Sequence, residues 1–203
     1  MKRYLSLVGA SLWLTAVAAC LVVLYQYQGA PGQAGQAPVA WPRKSALELD
    51  SQRDTLLLFV HPKCPCTVAS LEELRRLLAR LPAPPRVYVL FTLPSGVEAG
   101  WEDGLLKRIA TGSTGLETRL DQEALESHRF GIHTSGEVVV YDSRGRLRFC
   151  GGITPSRGHQ GESIGKTALY LYLRGEGQAQ TPRPPCYGCP LEGPSEFCSS
   201  TEP

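Results

Sequence analysis

Two cysteines one residue apart, Cys64 and Cys66, stand in the run His61-Pro62-Lys63-Cys64-Pro65-Cys66. A thiolate is both a nucleophile and a soft metal ligand, so this run supports either disulfide exchange or metal binding. A second group, Cys186-Tyr187-Gly188-Cys189, lies far downstream, with Cys150 and Cys198 making up the set outside the N-terminal segment. The elements around Cys64 favour thiolate chemistry. The run Leu56-Leu57-Leu58-Phe59-Val60 before it reads as a buried strand. The apolar positions Leu71, Leu74, Leu77, Leu78 and Leu81 after it mark one face of a helix. Backbone N–H groups left unpaired at a helix N-terminus lower the pKa of a nearby cysteine, and Lys63 adds positive charge.

Residues i and i+2 do not share a helix face, so the two thiols cooperate only if the helix starts at or after Pro65. Proline suits the first helical position, which would make Cys64 the cap residue and the nucleophile, with Cys66 as resolving partner. A Cys64–Cys66 disulfide would be strained and therefore easily reduced. The alternative uses the same atoms as ligands: His61, Cys64 and Cys66 offer one imidazole and two soft sulfurs, a set suited to copper or zinc. His128, His133, His159 or a folded-back Cys189 could complete it. No cofactor is expected under the redox reading, and copper is expected under the other. A non-catalytic binding module is the third reading, favoured if neither thiol is reactive. A thiol peroxidase is disfavoured because no threonine precedes the cysteine at the required position.

The N-terminus decides the compartment. Lys2 and Arg3 precede an apolar run from Tyr4 to about Tyr25, and the next basic residue is Arg43. A run of roughly 22 residues, or ~33 Å of helix, spans a bilayer. The charge asymmetry puts the N-terminus in the cytoplasm and the rest outside. The expected location is a bacterial inner membrane crossed once, with the C-terminal domain in the periplasm. Val17-Ala18-Ala19-Cys20 also has the form of a lipobox, so lipidation at Cys20 is the alternative. Disulfides persist in an exported domain. The tail cysteines Cys186, Cys189 and Cys198, together with Cys150, are accordingly candidates for a structural disulfide. Cys189 is also a candidate resolving thiol for Cys64. Cys150, on a strand, is otherwise a small buried apolar residue.

Of the 203 residues, 42% are hydrophobic and the net charge is +2, which suits one core domain and gives no basis for nucleic-acid binding. Residues 1–27 form the anchor and 28–44, rich in Gly, Ala, Gln and Pro, a flexible linker. Residues 45–176 form the folded domain and 177–203 a tail rich in Pro and Cys. Strands are expected at Thr55–Val60, Arg86–Thr92, Leu116–Leu120, Val138–Asp142 and Leu147–Cys150. Helices are expected at Thr67–Leu81, Ala99–Ala110, Gln122–Phe130 and Ser163–Arg174. Parallel strands come first, then a hairpin through Asp142-Ser143-Arg144-Gly145 and a closing helix. Gly161-Glu162-Ser163-Ile164-Gly165-Lys166-Thr167 lacks the first glycine of a phosphate-binding loop, with Gln160 in its place.

That element order matches a thioredoxin-like α/β fold, and particular segments resemble the thioredoxin superfamily. Phe59 to Cys66 sits where thioredoxins place strand, turn and active-site cysteine. Arg129-Phe130-Gly131-Ile132 is similar to the approach to the loop facing that cysteine. Val138 to Leu147 resembles the hairpin of the membrane-anchored TlpA and ResA relatives. His61 to Cys66, Thr134-Ser135-Gly136, Gly151 to His159 and Tyr187-Gly188-Cys189-Pro190-Leu191 are together similar to bacterial RedB-type proteins over about residues 53–192. The resemblance implies a thiol-disulfide oxidoreductase acting on partner protein thiols or disulfides, with Ser135 and Gly136 as the substrate-facing loop. Two features depart from ordinary thioredoxins: the spacing is Cys-x-Cys rather than Cys-x-x-Cys, and Gly136 stands where a cis-proline is usual.

Overall fold

The computed structural model describes residues 2–177 and 183–192. The chain divides into two compact units, Met1–Ala30 and Pro31–Pro203. The first is a single helix, α1 (Lys2–Gly29), in which an 18-residue window within Ser6–Gly29 has a mean hydropathy of 2.4 and no buried residue. At 1.5 Å per residue it is ~42 Å long. It is long and apolar enough to cross a membrane, a property that N-terminal signal sequences share.

The second unit runs β1 (Thr55–Val60), α2 (Thr67–Leu78), β2 (Arg86–Leu93), α3 (Leu105–Thr111), β3 (Leu116–Gln122), α4 (Leu125–Arg129), β4 (Val138–Tyr141), β5 (Leu147–Gly151) and α5 (Ile164–Leu173). The sheet order is β3-β2-β1-β4-β5, with β1, β2 and β3 parallel and β4 antiparallel to both β1 and β5. This is the thioredoxin-like α/β arrangement. Two helices are shorter than their periodicity suggests. Gly100 at φ 86° and the Gly104 cap keep residues 99–104 in turns, so α3 starts at Leu105. Glu123 and Ala124 both have positive φ, and the Asp121 carboxylate accepts from the N–H groups of Glu126 and Ser127. Strand β3 therefore continues to Gln122 and α4 begins only at Leu125.

β1 lies at the sheet centre with every residue buried. Leu56, Leu58 and Val60 face a core built with Leu71, Leu74 and Leu77 of α2 and Leu169 of α5. Leu57 and Phe59 face the opposite side, against Phe130, Ile132, Ala37 and Leu191. Burying each of these large side chains contributes about 1.5–3 kcal/mol relative to exposure. The strand end from which Cys64 departs is thus held firmly on both faces.

The second face corrects the expectation of a flexible linker at 28–44. Trp41 packs edge-on against Phe130 and Tyr141, with ring centroids 5.1 and 5.3 Å away. Gln36 N–H donates to Gly131 O, Leu147 N–H to Val39 O and the Tyr141 hydroxyl to Pro38 O, all within 2.9 Å. Low hydrophobicity concealed this segment because backbone and one aromatic hold it. The tail behaves similarly. Residues 183–192 lie on the domain, Gly152 N–H donating to Pro184 O at 3.1 Å and Leu191 N–H to His133 O at 2.9 Å.

Candidate functional site

The chain leaves β1 at Val60 and makes overlapping turns before α2. Cys64 N–H donates to His61 O at 3.0 Å, Thr67 N–H to Cys64 O at 3.3 Å and Val68 N–H to Pro65 O at 3.3 Å. The residue capping α2 is Cys66, at φ −65° and ψ −30°, rather than Cys64. Pro65 falls in the turn before the helix, so α2 begins at Thr67 as its periodicity predicts and only the cap position differs from the expectation. Cys64 is fully buried and Cys66 half-buried.

The tail supplies a third sulfur. Cys64, Cys66 and Cys189 place their sulfurs within 4.8 Å of one another. Cys189 also turns its backbone N–H toward Cys64 Sγ at 3.4 Å. Hydrogen bonds from the Cys189 and Cys66 thiols, with that of the Thr67 hydroxyl, outweigh burial and hold Cys64 far below the usual thiol range. Cys66 receives a hydrogen bond from Cys189 that pulls it down. Its own bond to Cys64, its burial and the Cys64 charge nevertheless leave it raised. The three sulfurs are thus placed so that Cys66 and Cys189 favour a thiolate at Cys64.

The loop at Ser135 and Gly136 lies against the turn before α2, and its glycine has a geometric cause. Gly136 has φ +90°, a conformation closed to proline, whose ring holds φ near −65°. Its N–H donates to Phe59 O at 2.7 Å, and a Cβ there would meet Ser70 Oγ at 2.7 Å. Ser135 joins three elements. Its hydroxyl accepts from His61 N–H at 2.8 Å and bonds Thr67 Oγ1 at 2.6 Å, while its N–H donates to Cys189 O at 2.9 Å. The Ser135–Gly136 edge is thus occupied by the chain's own tail, which also bridges Thr134 with Pro190.

His61 does not join the sulfur group. Its Nδ1 accepts from Lys63 N–H at 3.2 Å and its ring stands edge-on to Trp101 at 5.4 Å. Burial pushes its pKa down against the opposing Cys64 charge, which favours neutral imidazole. Cys189 takes the place the sequence reading gave to His61. Arg157 donates to Gly188 O at 2.7 Å, and its charge acts on Cys66. Neither Thr67 nor Arg157 was assigned to the site from sequence, because their contacts with the cysteines are set by the tertiary fold.

Cys150 and Cys186 are buried thiols, not partners in a disulfide. Burial pushes Cys150 up to about 12 and Cys186 well above the usual range. Of the four cysteines proposed for a tail disulfide, Cys150, Cys186 and Cys189 are free thiols in the described residues, Cys189 turning to Cys64 and Cys186 to Ser135 O. Cys198 lies outside the described residues. Beneath the loop, Glu137 is buried. Its Oε1 accepts from Gly35 N–H at 3.1 Å and faces Cys150 Sγ at 3.5 Å, and Oε2 has no hydrogen-bond partner. Burial raises its carboxyl to about 7.

Gly188 sets how closely the tail approaches. A Cβ at 188 would overlap the Ser135 carbonyl oxygen, so Gly188→Ala must push the tail away from the loop. Loosening that contact by about 1.4 kcal/mol should raise maleimide labelling of Cys64 about tenfold, measured by mass spectrometry. Unchanged labelling would show that the tail does not shield Cys64.

Neither protein-family models nor curated proteins match the chain. Similarity to solved structures bears on the fold. An uncharacterized conserved protein from Geobacillus kaustophilus is 13% identical with a TM-score of 0.57, over 81% of this chain and 93% of that one. A hypothetical protein from Sinorhizobium meliloti 1021 is 18% identical with a TM-score of 0.55, over 80% and 93% respectively. A thioredoxin-like protein from Aeropyrum pernix is 12% identical with a TM-score of 0.47, over 78% and 96%. The sheet order is that of a thioredoxin-like fold, and the first two likenesses show the same fold in solved structures. The Cys-Pro-Cys site is read from this chain alone.

Proposed function

We propose that the protein is a thiol-disulfide oxidoreductase, tethered by its N-terminal helix to a bacterial inner membrane, with its folded domain in the periplasm. The observation that carries this reading is the convergence of Cys64, Cys66 and Cys189 within 4.8 Å at the end of β1. Cys64 is the nucleophile. Its sulfur attacks a partner protein's disulfide, forming a mixed disulfide and releasing one partner thiolate, and a neighbouring thiol then completes the exchange. The buried hydroxyls of Thr67 and Ser135 hold the loop and the helix start in register around it. The basic residues Lys2 and Arg3 before the apolar helix support the orientation.

A second reading is favoured by the same three sulfurs. The set Cys64, Cys66 and Cys189 suits Cu(I) or Zn through soft thiolate donors, with Cys189 in place of His61. The purified full-length protein, assayed for insulin disulfide reduction and for metal content, separates the two. Exchange chemistry predicts insulin reduction at least ~10-fold above the uncatalysed rate. Retention of about one equivalent of copper or zinc, lost in Cys189→Ser, without turnover, would establish the metal reading instead.

A further inference from the structure

The tail occupies the edge that the facing loop offers to an incoming strand. Ser135 N–H donates to Cys189 O and Leu191 N–H to His133 O, both at 2.9 Å. Arg157 holds Gly188 O at 2.7 Å. Cys64, beneath this segment, is 0% exposed. A partner disulfide can reach Cys64 only by displacing residues 188–191 from the loop. Cys66 and Cys189 are not equivalent as second thiols. The Cys66 sulfur also lies near Cys64, but Cys66 caps α2 in helical conformation and is joined to Cys64 through Pro65 alone, so a bond between them closes a small ring across a fixed turn. Bonding Cys64 to Cys66 requires distorting that turn, since disulfide geometry is narrow. Cys189 belongs to a separate extended segment held by a few hydrogen bonds, so it approaches Cys64 without strain in α2.

We propose, on the thiol-exchange reading above, that Cys189 resolves the mixed disulfide at Cys64 and that the tail returns to its edge as it does so. In the first step the Cys64 sulfur bonds one sulfur of the partner, the partner's S–S bond breaks and its other sulfur leaves as thiolate. In the second, the Cys189 sulfur attacks Cys64 Sγ, the mixed disulfide breaks and the partner's remaining sulfur leaves. Cys64 reacts as a thiolate, so the Cys189 proton and one proton from solvent end on the two partner thiols. The partner gains two electrons and this chain, as the Cys64–Cys189 disulfide, loses two. The reverse sequence oxidises a partner dithiol. Because the partner and the tail compete for residues 133–135, resolution and partner release are one event.

The test uses the full-length reduced protein and glutathione disulfide as oxidant, followed by tryptic mass mapping. The expected product joins the peptide carrying Cys64 and Cys66 to the peptide carrying Cys189, and Cys66→Ser still yields that cross-link. In Cys189→Ser the glutathione adduct on Cys64 should persist at least ~10-fold longer than in the wild-type chain, because the proximate second thiol is gone. A Cys64–Cys66 disulfide in the wild-type chain, with the Cys189→Ser adduct resolved at the wild-type rate, would overturn Cys189 as the resolving thiol and leave the exchange reading standing. A Cys64 that forms neither adduct nor disulfide in any variant would overturn both.

Discussion

Cys64→Ser is expected to abolish disulfide exchange, reducing insulin-reduction activity by at least ~1,000-fold, to the uncatalysed background. A hydroxyl cannot form a disulfide, and the remaining thiols lack the support that Cys64 receives. Cys64 accepts hydrogen bonds from the Cys189 and Cys66 thiols, the Thr67 hydroxyl and the Cys189 backbone N–H. Cys66 is raised overall, and no such set converges on it. Cys150→Ala is the control: Cys150 is a buried strand residue against Glu137, outside the sulfur group, and its loss should leave the rate within about twofold. Turnover by Cys64→Ser at a tenth of the wild-type rate or more would rule out Cys64 as the nucleophile.

Glu137 should contribute a distinct fall in stability as pH rises. Burial raises its carboxyl from 4.5 to about 7 in the folded chain, so the fold prefers the protonated form. Below pH 4.5 both folded and unfolded chains hold the proton and the contribution is fully present. Between 4.5 and 7 the unfolded chain ionises first, and stability falls. Above about 7 the loss is complete. The shift corresponds to about 3 kcal/mol, from 1.36 kcal/mol per pKa unit. His61 acts in the opposite sense, since its lowered pKa costs stability as pH falls below 6.5. The clean observable is therefore the difference between wild type and Glu137→Gln in urea unfolding. That difference should change by about 2–3 kcal/mol between pH 4.5 and 8, because glutamine cannot ionise. Parallel stability curves would show that Glu137 is hydrated or paired in solution. The consequence is local to the site, because Glu137 follows the Ser135–Gly136 loop and holds Gly35, whose carbonyl accepts from Arg183 of the tail.

The sheet was legible in the sequence because its signals are short-range. Continuous apolar runs at 55–60 and 86–92, the hairpin turn at 142–145 and the leucine face after Cys66 each fix an element without reference to its neighbours. The two shortened helices were not legible. The start of α3 depends on Gly100 and Gly104, and that of α4 on positive φ at Glu123 and Ala124 with a capping carboxylate from Asp121, none of which periodicity registers. Gly136 shows the same limit: its type is visible, but the φ of +90° and the nearby Ser70 that require it are tertiary facts.

The sequence by itself determined that two thiols stand between a buried strand and a helix, that one helix is apolar enough for a membrane, and that the fold is thioredoxin-like. Strand, helix and turn propensities act over a few residues and are written in local order. Only the tertiary structure decided that Cys189 rather than His61 completes the sulfur group. It likewise decided that residues 31–44 and 183–192 pack on the domain. Those contacts join residues far apart in the chain through backbone hydrogen bonds, and a backbone N–H carries no residue identity for a sequence to display.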